Sequence, residues 1–303
     1  MEIDEVRTIL IIGAGTMGTQ IGFQCAIHDY SVTIYDINKN QLHAAKAKTS
    51  ALARQLVTIN YITQEVADAA LGRISYSSNP KDAAAEADLL SESVTEDPEV
   101  KMKVFSQFGK LCPTHTIFTT NTSGLVPSMF ADATRRSEQF AALHFNSPIW
   151  YTNIVEIMPH PKTSKATIQL LELFAKRIGL IPFSLRKENP GYIINALLRP
   201  LLEAAIKLKM NDVASVEDID RVWMNITKMP IGPFGILDHV GLDVAFHSTN
   251  LVAKATDDPG VIAIVNFYKE FVDKGWLGEK SGRGFYTYPN PKFRQPGFLT
   301  GES

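Results

Sequence analysis

The sequence predicts an α/β protein, a doubly wound sheet followed by a second, smaller all-α domain. Three observations carry that expectation. Apolar runs rich in branched residues alternate with longer stretches of helical period as far as about residue 187. A G-x-G-x-x-G turn sits between the first apolar run and the first helical pattern. Beyond Leu185 strand signals fade and apolar residues recur at helical spacing. A chain of 303 residues has the length for two unequal domains, and their expected ranges are 1–187 and 188–303.

The first strand is read at Thr8–Ile12 and the second at Val32–Tyr35, with a helix between them. Gly13, Gly15 and Gly18 open that helix, with Thr16 and Met17 inside the turn, and Asp36 ends the second strand. Gly13 permits the tight turn, Gly15 admits a pyrophosphate against bare backbone, and Gly18 lets helix and strand pack closely. The unpaired N–H groups and positive dipole end of the helix face the phosphates. Asp36 then accepts hydrogen bonds from ribose hydroxyls and repels a 2′-phosphate, which favours NAD over NADP. A bare glycine motif also fits simple packing, but strand, helix, second strand and terminal acid together give a Rossmann-type cofactor domain.

Residues 41–71 are long for one connection and place Leu42, Leu52, Leu56 and Val66 among polar residues, so a helical excursion is expected there, a hairpin or ligand-facing flap. Further strands are read at Ile117–Thr120 and Phe140–Phe145. Asn189 is expected to cap a helix with Pro190 at its first position and Ile193, Leu197, Leu201 and Leu208 along one face. Pro200 should kink it. Helices follow at 215–227, 242–256 and 261–274, with MPIGPFG as a turn between them, and the tail after Tyr288 is expected to hang loosely.

A formal charge of −2 provides no basic surface for nucleic acid or an anionic membrane, and no apolar stretch reaches the ~20 residues of a bilayer span. The acidic opening MEIDEVRT carries no export signal, and Cys25 and Cys112 read as buried thiols, so a cytoplasmic location is expected, without a metal.

Hydride removal from a secondary alcohol needs a base for the hydroxyl proton. His144, near the end of one strand, and Glu156, twelve residues on, fit such a pair, the carboxylate fixing the tautomer and supporting the imidazolium. Spacing alone fits a strand-end histidine and an exposed glutamate as well. TTNTSGL puts Asn121 and Ser123 at another strand end, where open α/β sheets bind ligands, although a plain Asn/Ser turn fits the local sequence equally.

From Thr8 to Tyr288 the chain resembles the 3-hydroxyacyl-CoA dehydrogenases, including the bacterial 3-hydroxybutyryl-CoA enzymes. The glycine motif is followed, in that family's order, by SESVTEDPEVKMKVF, NTSGL, LHFNSP with VEIMPHP, NPGYIINALL, IGPFGILDHVGLD and GWLGEKSGRGFYTY. The resemblance implies NAD-dependent oxidation of a short-chain 3-hydroxyacyl-CoA. It makes His144 the catalytic base, Glu156 its partner, and Ser123 and Asn195 polar groups around the reacting oxygen and acyl carbonyl. Glu96, Lys101 and Asn121 then line the cofactor side, and the chain forms a homodimer through its C-terminal domain.

Three positions depart from that pattern. Ser147 stands where the family has an asparagine that orients substrate or nicotinamide, and Asn146 lies one position early. Ala196 replaces an arginine. No lysine lies between Gln55 and Glu65, where bacterial relatives carry lysines suited to CoA phosphates. Trp150–Tyr151 and MPHPKT also resemble the gulonate dehydrogenase/lambda-crystallin branch, which oxidises free hydroxy acids. A catalytically inactive structural or sensing relative is the alternative from another class.

Overall fold

The computed structural model describes residues 1–302, which form two compact units, Met1–Asn195 and Ala196 onward. The first unit is built on an eight-stranded sheet of order β3-β2-β1-β4-β5-β6-β7-β8. Its strands are β1 (Thr8–Ile12), β2 (Ser31–Tyr35), β3 (Ile74–Ser77), β4 (Leu89–Glu92), β5 (Ile117–Thr120), β6 (Phe140–Phe145), β7 (Ile154–Pro159) and β8 (Ile181–Ser184). All neighbours pair in parallel except β6 and β7, which are antiparallel.

Helices cover both faces, so the strands are apolar on both sides. Ile9 and Ile11 pack with Phe23 of α1 (Thr16–Ala26) and with Leu42 and Leu52 of α2 (Lys39–Thr58). Ala67 and Ala70 of α3 (Gln64–Gly72) join the same cluster. The 41–71 segment is therefore a helical hairpin whose inner side belongs to the core, and Val66 faces out instead of in. Leu10 and Ile12 point the other way. They meet Ala83 and Ala84 of α4 (Pro80–Ala84) and Phe105 and Phe108 of α5 (Pro98–Leu111). Phe105 lies at ring-centroid distances of 6.4, 5.7 and 5.1 Å from Phe118, Phe130 and Phe140, a cluster that ties α5 to β5 and β6. Two further helices, the short α6 (Ile149–Thr152) and α7 (Lys165–Arg177), complete the connections between β6, β7 and β8.

The expected helix start at Asn189 and Pro190 is corrected by the backbone. Gly191 and Tyr192 have φ of 83° and 57°, so the chain turns, and α8 (Ile194–Met210) begins only at Ile194. Asn189 donates through Nδ2 to the carbonyls of Pro190 and Tyr192 and accepts nothing as a cap. The first compact unit accordingly runs past 187 to Asn195. Pro200 lies within α8, and the buried side chains of the helix are Leu202, Ala205 and Ile206; Ile193, Leu197 and Leu208 are exposed and Leu201 is only partly covered.

The second unit continues with α9 (Val216–Thr227), α10 (Pro233–Val240), α11 (Leu242–Thr256) and α12 (Pro259–Val272). The MPIGPFG turn is only half a turn. Asp220 of α9 accepts from Phe234 N–H at 2.8 Å and Gly235 N–H at 3.0 Å, and these free amides of the first turn let α10 begin at Pro233. Nor is the tail loose: Phe293 and Phe298 are buried in the unit's core, and Arg221 Nε donates 2.6 Å to the Phe298 carbonyl. A second buried carboxylate, Asp238, accepts from Phe285 and Tyr286 N–H, each at 2.8 Å, and from the Tyr288 hydroxyl at 3.2 Å.

Burial pushes Asp220 up to about 6 despite its backbone amide donors. The folded state thus holds a proton here that the unfolded chain has released, and this contribution is full below about pH 4 and lost as pH rises through about 6. Asp220→Asn puts an NH2 where a donor points. It should lower stability by about 1–3 kcal/mol and flatten the dependence between pH 4 and 6. Urea unfolding followed by the fluorescence of Trp223 and Trp276 measures both.

Candidate active site

The ends of β1, β4, β5 and β6 bring most of the expected residues together. At the glycine turn, Gly13 has φ 107° and a side chain there would strike the Ser93 carbonyl, while a Cβ on Gly18 would collide with the Gly13 carbonyl. Gly15 differs: a Cβ there meets nothing within 4 Å. The protein's own packing gives no reason for that glycine, and an incoming group that needs bare backbone does. Gly15 also caps α1 without a side-chain acceptor, which leaves the N–H groups beside Thr16 and Met17 for an anion. Asp36 accepts from Ala14 N–H at 2.9 Å through one oxygen and from Asn38 N–H at 2.8 Å through the other. The acid is thereby fixed at the rim of the turn. These features fit the pyrophosphate and ribose of a dinucleotide.

Antiparallel pairing sets His144 directly opposite Glu156, so both side chains leave the same face of neighbouring strands. His144 Nδ1 lies 3.2 Å from Glu156 Oε2, and Nε2 lies 3.2 Å from Ser123 Oγ. Both members of the pair are buried, at 4% and 2% exposure, which rules out the exposed-glutamate alternative. Glu156 Oε1 accepts from Ile193 N–H at 2.8 Å and Ile194 N–H at 3.2 Å, the free amides at the late start of α8. Burial raises the Glu156 carboxyl, but the bonds from His144, Ile193 and Ile194 outweigh it and hold the group below its ordinary value. An ionised Glu156 accepts a hydrogen bond from Nδ1–H of a neutral imidazole, so the lone pair sits on Nε2, facing Ser123.

A second carboxylate shapes the Ser123 turn. Glu96 Oε1 accepts from Thr122 Oγ1, from Ser123 N–H at 3.0 Å and from Gly124 N–H at 2.9 Å, and its Oε2 lies 3.3 Å from Lys101 Nζ. Burial raises Glu96, and Lys101 with these donors brings it below the ordinary range. Lys101 is not on a solvated helix face, nor does it line the cofactor side openly. It is 1% exposed, with its ammonium 2.8 Å from Glu92, so it braces Glu96 from within. Asn121 Oδ1 accepts from Phe145 N–H at 2.8 Å, joining β5 to β6. Ser147 Oγ lies 3.1 Å from Gln20 Nε2 on α1, away from the His144 imidazole in its bonding. Asn195 occupies the first turn of α8, and Asn146 Nδ2 is buried without a partner among the described residues.

Sequence reasoning missed Tyr192, whose ring stacks on the His144 imidazole at 4.4 Å and 20°, and Glu92, which holds Lys101 and Thr120. An aromatic next to glycine in NPGY was the available signal for the first. For Glu92, flanked by Ser91 and Ser93, the sequence offers no local signal.

Comparison with known proteins gives matches along nearly the whole chain. Residues 8–188 match the family "3-hydroxyacyl-CoA dehydrogenase, NAD binding domain" and residues 191–288 match "3-hydroxyacyl-CoA dehydrogenase, C-terminal domain". The mitochondrial hydroxyacyl-coenzyme A dehydrogenase of Sus scrofa is 32% identical over 93% of this chain and 91% of its own. Among solved structures, a diketoreductase described as acting on dicarbonyl compounds shares 38% identity with a TM-score of 0.87, covering 93% of this chain and 99% of its own. The (S)-3-hydroxybutyryl-CoA dehydrogenase of Ralstonia eutropha shares 30% with a TM-score of 0.82, covering 94% and 100%.

A carboxyl held low in the native state contributes stability that is present above its unfolded pKa, near 4.5, and lost as pH falls through the lower folded value. Glu156→Gln should therefore be less stable at pH 7 by about 1–3 kcal/mol, with a shallower loss below pH 4.5. Denaturant unfolding from pH 3.5 to 7 tests this, and parallel pH curves for both proteins would contradict it.

Proposed function

Because the chain belongs to the 3-hydroxyacyl-CoA dehydrogenase family and takes NAD as cofactor, we propose that it moves a hydride between C3 of a short-chain 3-hydroxyacyl-CoA and that cofactor, with His144 as general base and acid. One observation supports the assignment above the others. The buried imidazole has Nδ1 committed to Glu156 and Nε2 aimed at Ser123 Oγ, the only direction left for a substrate hydroxyl.

NAD, when held by the glycine turn and Asp36, would supply the acceptor for the C3 hydride. The chain's residues manage the proton. Nε2 receives the hydroxyl proton as the carbonyl forms, and the imidazolium stays paired with Glu156, whose other oxygen is already held by two amides. Ser123 Oγ, beside Nε2, donates to the reacting oxygen and fixes its position. Asn195 and the unpartnered amide of Asn146 supply donors for the acyl carbonyl. Gly13, Gly15 and Gly18 with Thr16 and Met17 hold the pyrophosphate, and Asp36 the ribose. Glu96 and Asn121 shape the cofactor side, Lys101 acting through Glu96. In the reverse direction the same imidazolium returns its proton to the alkoxide.

A second reading draws on the α2–α3 turn. It carries no lysine between Gln55 and Glu65, and exposes Ile59 and Tyr61 instead. Loss of two phosphate contacts at a few tenths to 1 kcal/mol each weakens CoA binding only several-fold, so CoA remains the first choice. A free dicarbonyl or hydroxy acid such as gulonate is the alternative. Exposed Val222, Ile226, Val244 and Leu251 on the helical unit support a homodimer through it, and a reducing, cytoplasmic setting suits the two buried thiols.

His144→Gln should reduce kcat by about 10²–10⁴ with NAD affinity little changed. Stopped-flow turnover together with calorimetric titration of NAD reads the two effects separately; near-native turnover removes His144 from the chemistry, and absence of turnover in the native protein favours the inactive alternative.

The substrate is decided by kcat/KM for acetoacetyl-CoA, the same acyl group on pantetheine, a free 1,3-dicarbonyl and gulonate. The full CoA thioester should lead by several-fold, and its lead over the pantetheine ester should shrink with salt. Equal thioesters, both outrun by a free compound, would transfer the assignment to the second reading.

A further inference from the structure

Tyr192 is among the largest fully buried side chains in the protein, yet it holds a left-handed φ of 57°. A bulky aromatic residue at positive φ is unfavourable, and such outliers persist where the surroundings fix them. Here three contacts do so. The ring lies 4.4 Å from the His144 imidazole at 20°, the hydroxyl donates 2.7 Å to the Thr122 carbonyl, and Asn189 Nδ2 donates 2.8 Å to the Tyr192 carbonyl.

We propose that Tyr192 is a positioning residue for the reaction, holding the plane of the His144 imidazole with its ring and the Ser123 turn with its hydroxyl. The proposal rests on the reading of His144 as the base. Glu156 and Ser123 hold the imidazole by its two nitrogens, both contacts in the plane of the ring, so neither resists a tilt out of that plane. The face contact with Tyr192 does. Its negative π-face also favours the imidazolium formed when Nε2 takes the substrate proton. The hydroxyl acts on the other partner. Thr122 precedes Ser123, and its Oγ1 is already tied to Glu96, so the bond to its carbonyl fixes the turn from a second side.

The charged groups around this pair are Glu156 on β7, Glu92 at the end of β4, Glu96 just beyond it, and Lys101 on α5. All remain in a Tyr192 variant. Burial, with Glu96, Glu156 and Glu92 nearby, keeps the phenol well above its ordinary value, so it stays a donor throughout the working range.

Two substitutions separate the roles. Tyr192→Phe keeps the ring and loses the hydroxyl, and should lower kcat/KM about five- to twentyfold with the acidic limb of the pH–rate profile unmoved. Tyr192→Leu keeps a buried apolar cover and loses the π-face, and should move the acidic limb to lower pH by about half to one unit. A Phe variant within twofold of the native enzyme, or a folded Leu variant with the native limb, overturns the proposal. Should the Leu variant not fold, proton NMR of the native and Phe proteins decides: the His144 Hε1 resonance, identified by its loss in His144→Gln, should lie upfield in both, and its absence from upfield overturns the stacking. His144→Gln also separates the two readings. Turnover near the native rate in that variant removes the base assignment, while the NMR shift still reports on the contact.

Discussion

The carboxylate of Glu156 is the group on which the site's geometry depends, because it connects three parts of the chain that sequence alone leaves far apart. It stands on β7, it fixes the imidazole on β6, and it terminates the turn that launches α8. None of its partners is a permanent cation. Two amides and one imidazole N–H satisfy it, so its charge remains available to support the imidazolium when the base is loaded. Register makes this possible. A slip of one residue between β6 and β7 would place Val155 or Ile157 opposite His144 and turn the carboxylate to the other face.

Much of the first unit was legible because strand and helix periods differ and because glycines have few reasons to be where they are. Thr8–Ile12, Ile117–Thr120 and Phe140–Phe145 fall where the apolar runs put them, and Asp36 directly follows the second strand, which ends at Tyr35. His144 and Glu156 were legible as residues, but their contact was not; spacing fits an exposed glutamate equally, and only the antiparallel register distinguishes the two. What stayed hidden were contacts made across sequence. Local signals at Asn189 and Pro190 favour a helix start, yet the amides of Ile193 and Ile194 find a better acceptor in Glu156, and Gly191 lets the chain turn to reach it. In the tail, proline and glycine read as looseness, while Phe293 and Phe298 anchor it in a core assembled from distant helices. Lys101 was legible as a charge at a helix start, but its burial depends on Glu92, an acid between Ser91 and Ser93 whose own burial no local pattern marks.

The same device recurs in both units: a buried or half-buried carboxylate gathers backbone amides from a segment that has no regular partner. Glu92 takes the Val94 amide, Glu96 those of Ser123 and Gly124, Asp220 those of Phe234 and Gly235, and Asp238 those of Phe285 and Tyr286. Unpaired amides are costly when buried, and a carboxylate accepts several at once, so each acid fixes a turn that hydrophobic packing alone leaves free.

The two units use the device with opposite electrostatic results. In the second, Asp220 has no cation among its partners, burial prevails and the carboxyl rises to about 6. In the first, Lys101 and the imidazole offset burial, and Glu96 and Glu156 stay low. That difference suits their tasks. A carboxyl that only holds a fold tolerates a proton, since a protonated acid still accepts hydrogen bonds. One that must support a charged imidazole does not, because protonating it would remove the charge that keeps the Nδ1 proton in place and the Nε2 lone pair free. The donors around Glu156 therefore do more than fill its valences: by keeping it ionised they keep His144 in the tautomer in which it can act as a base.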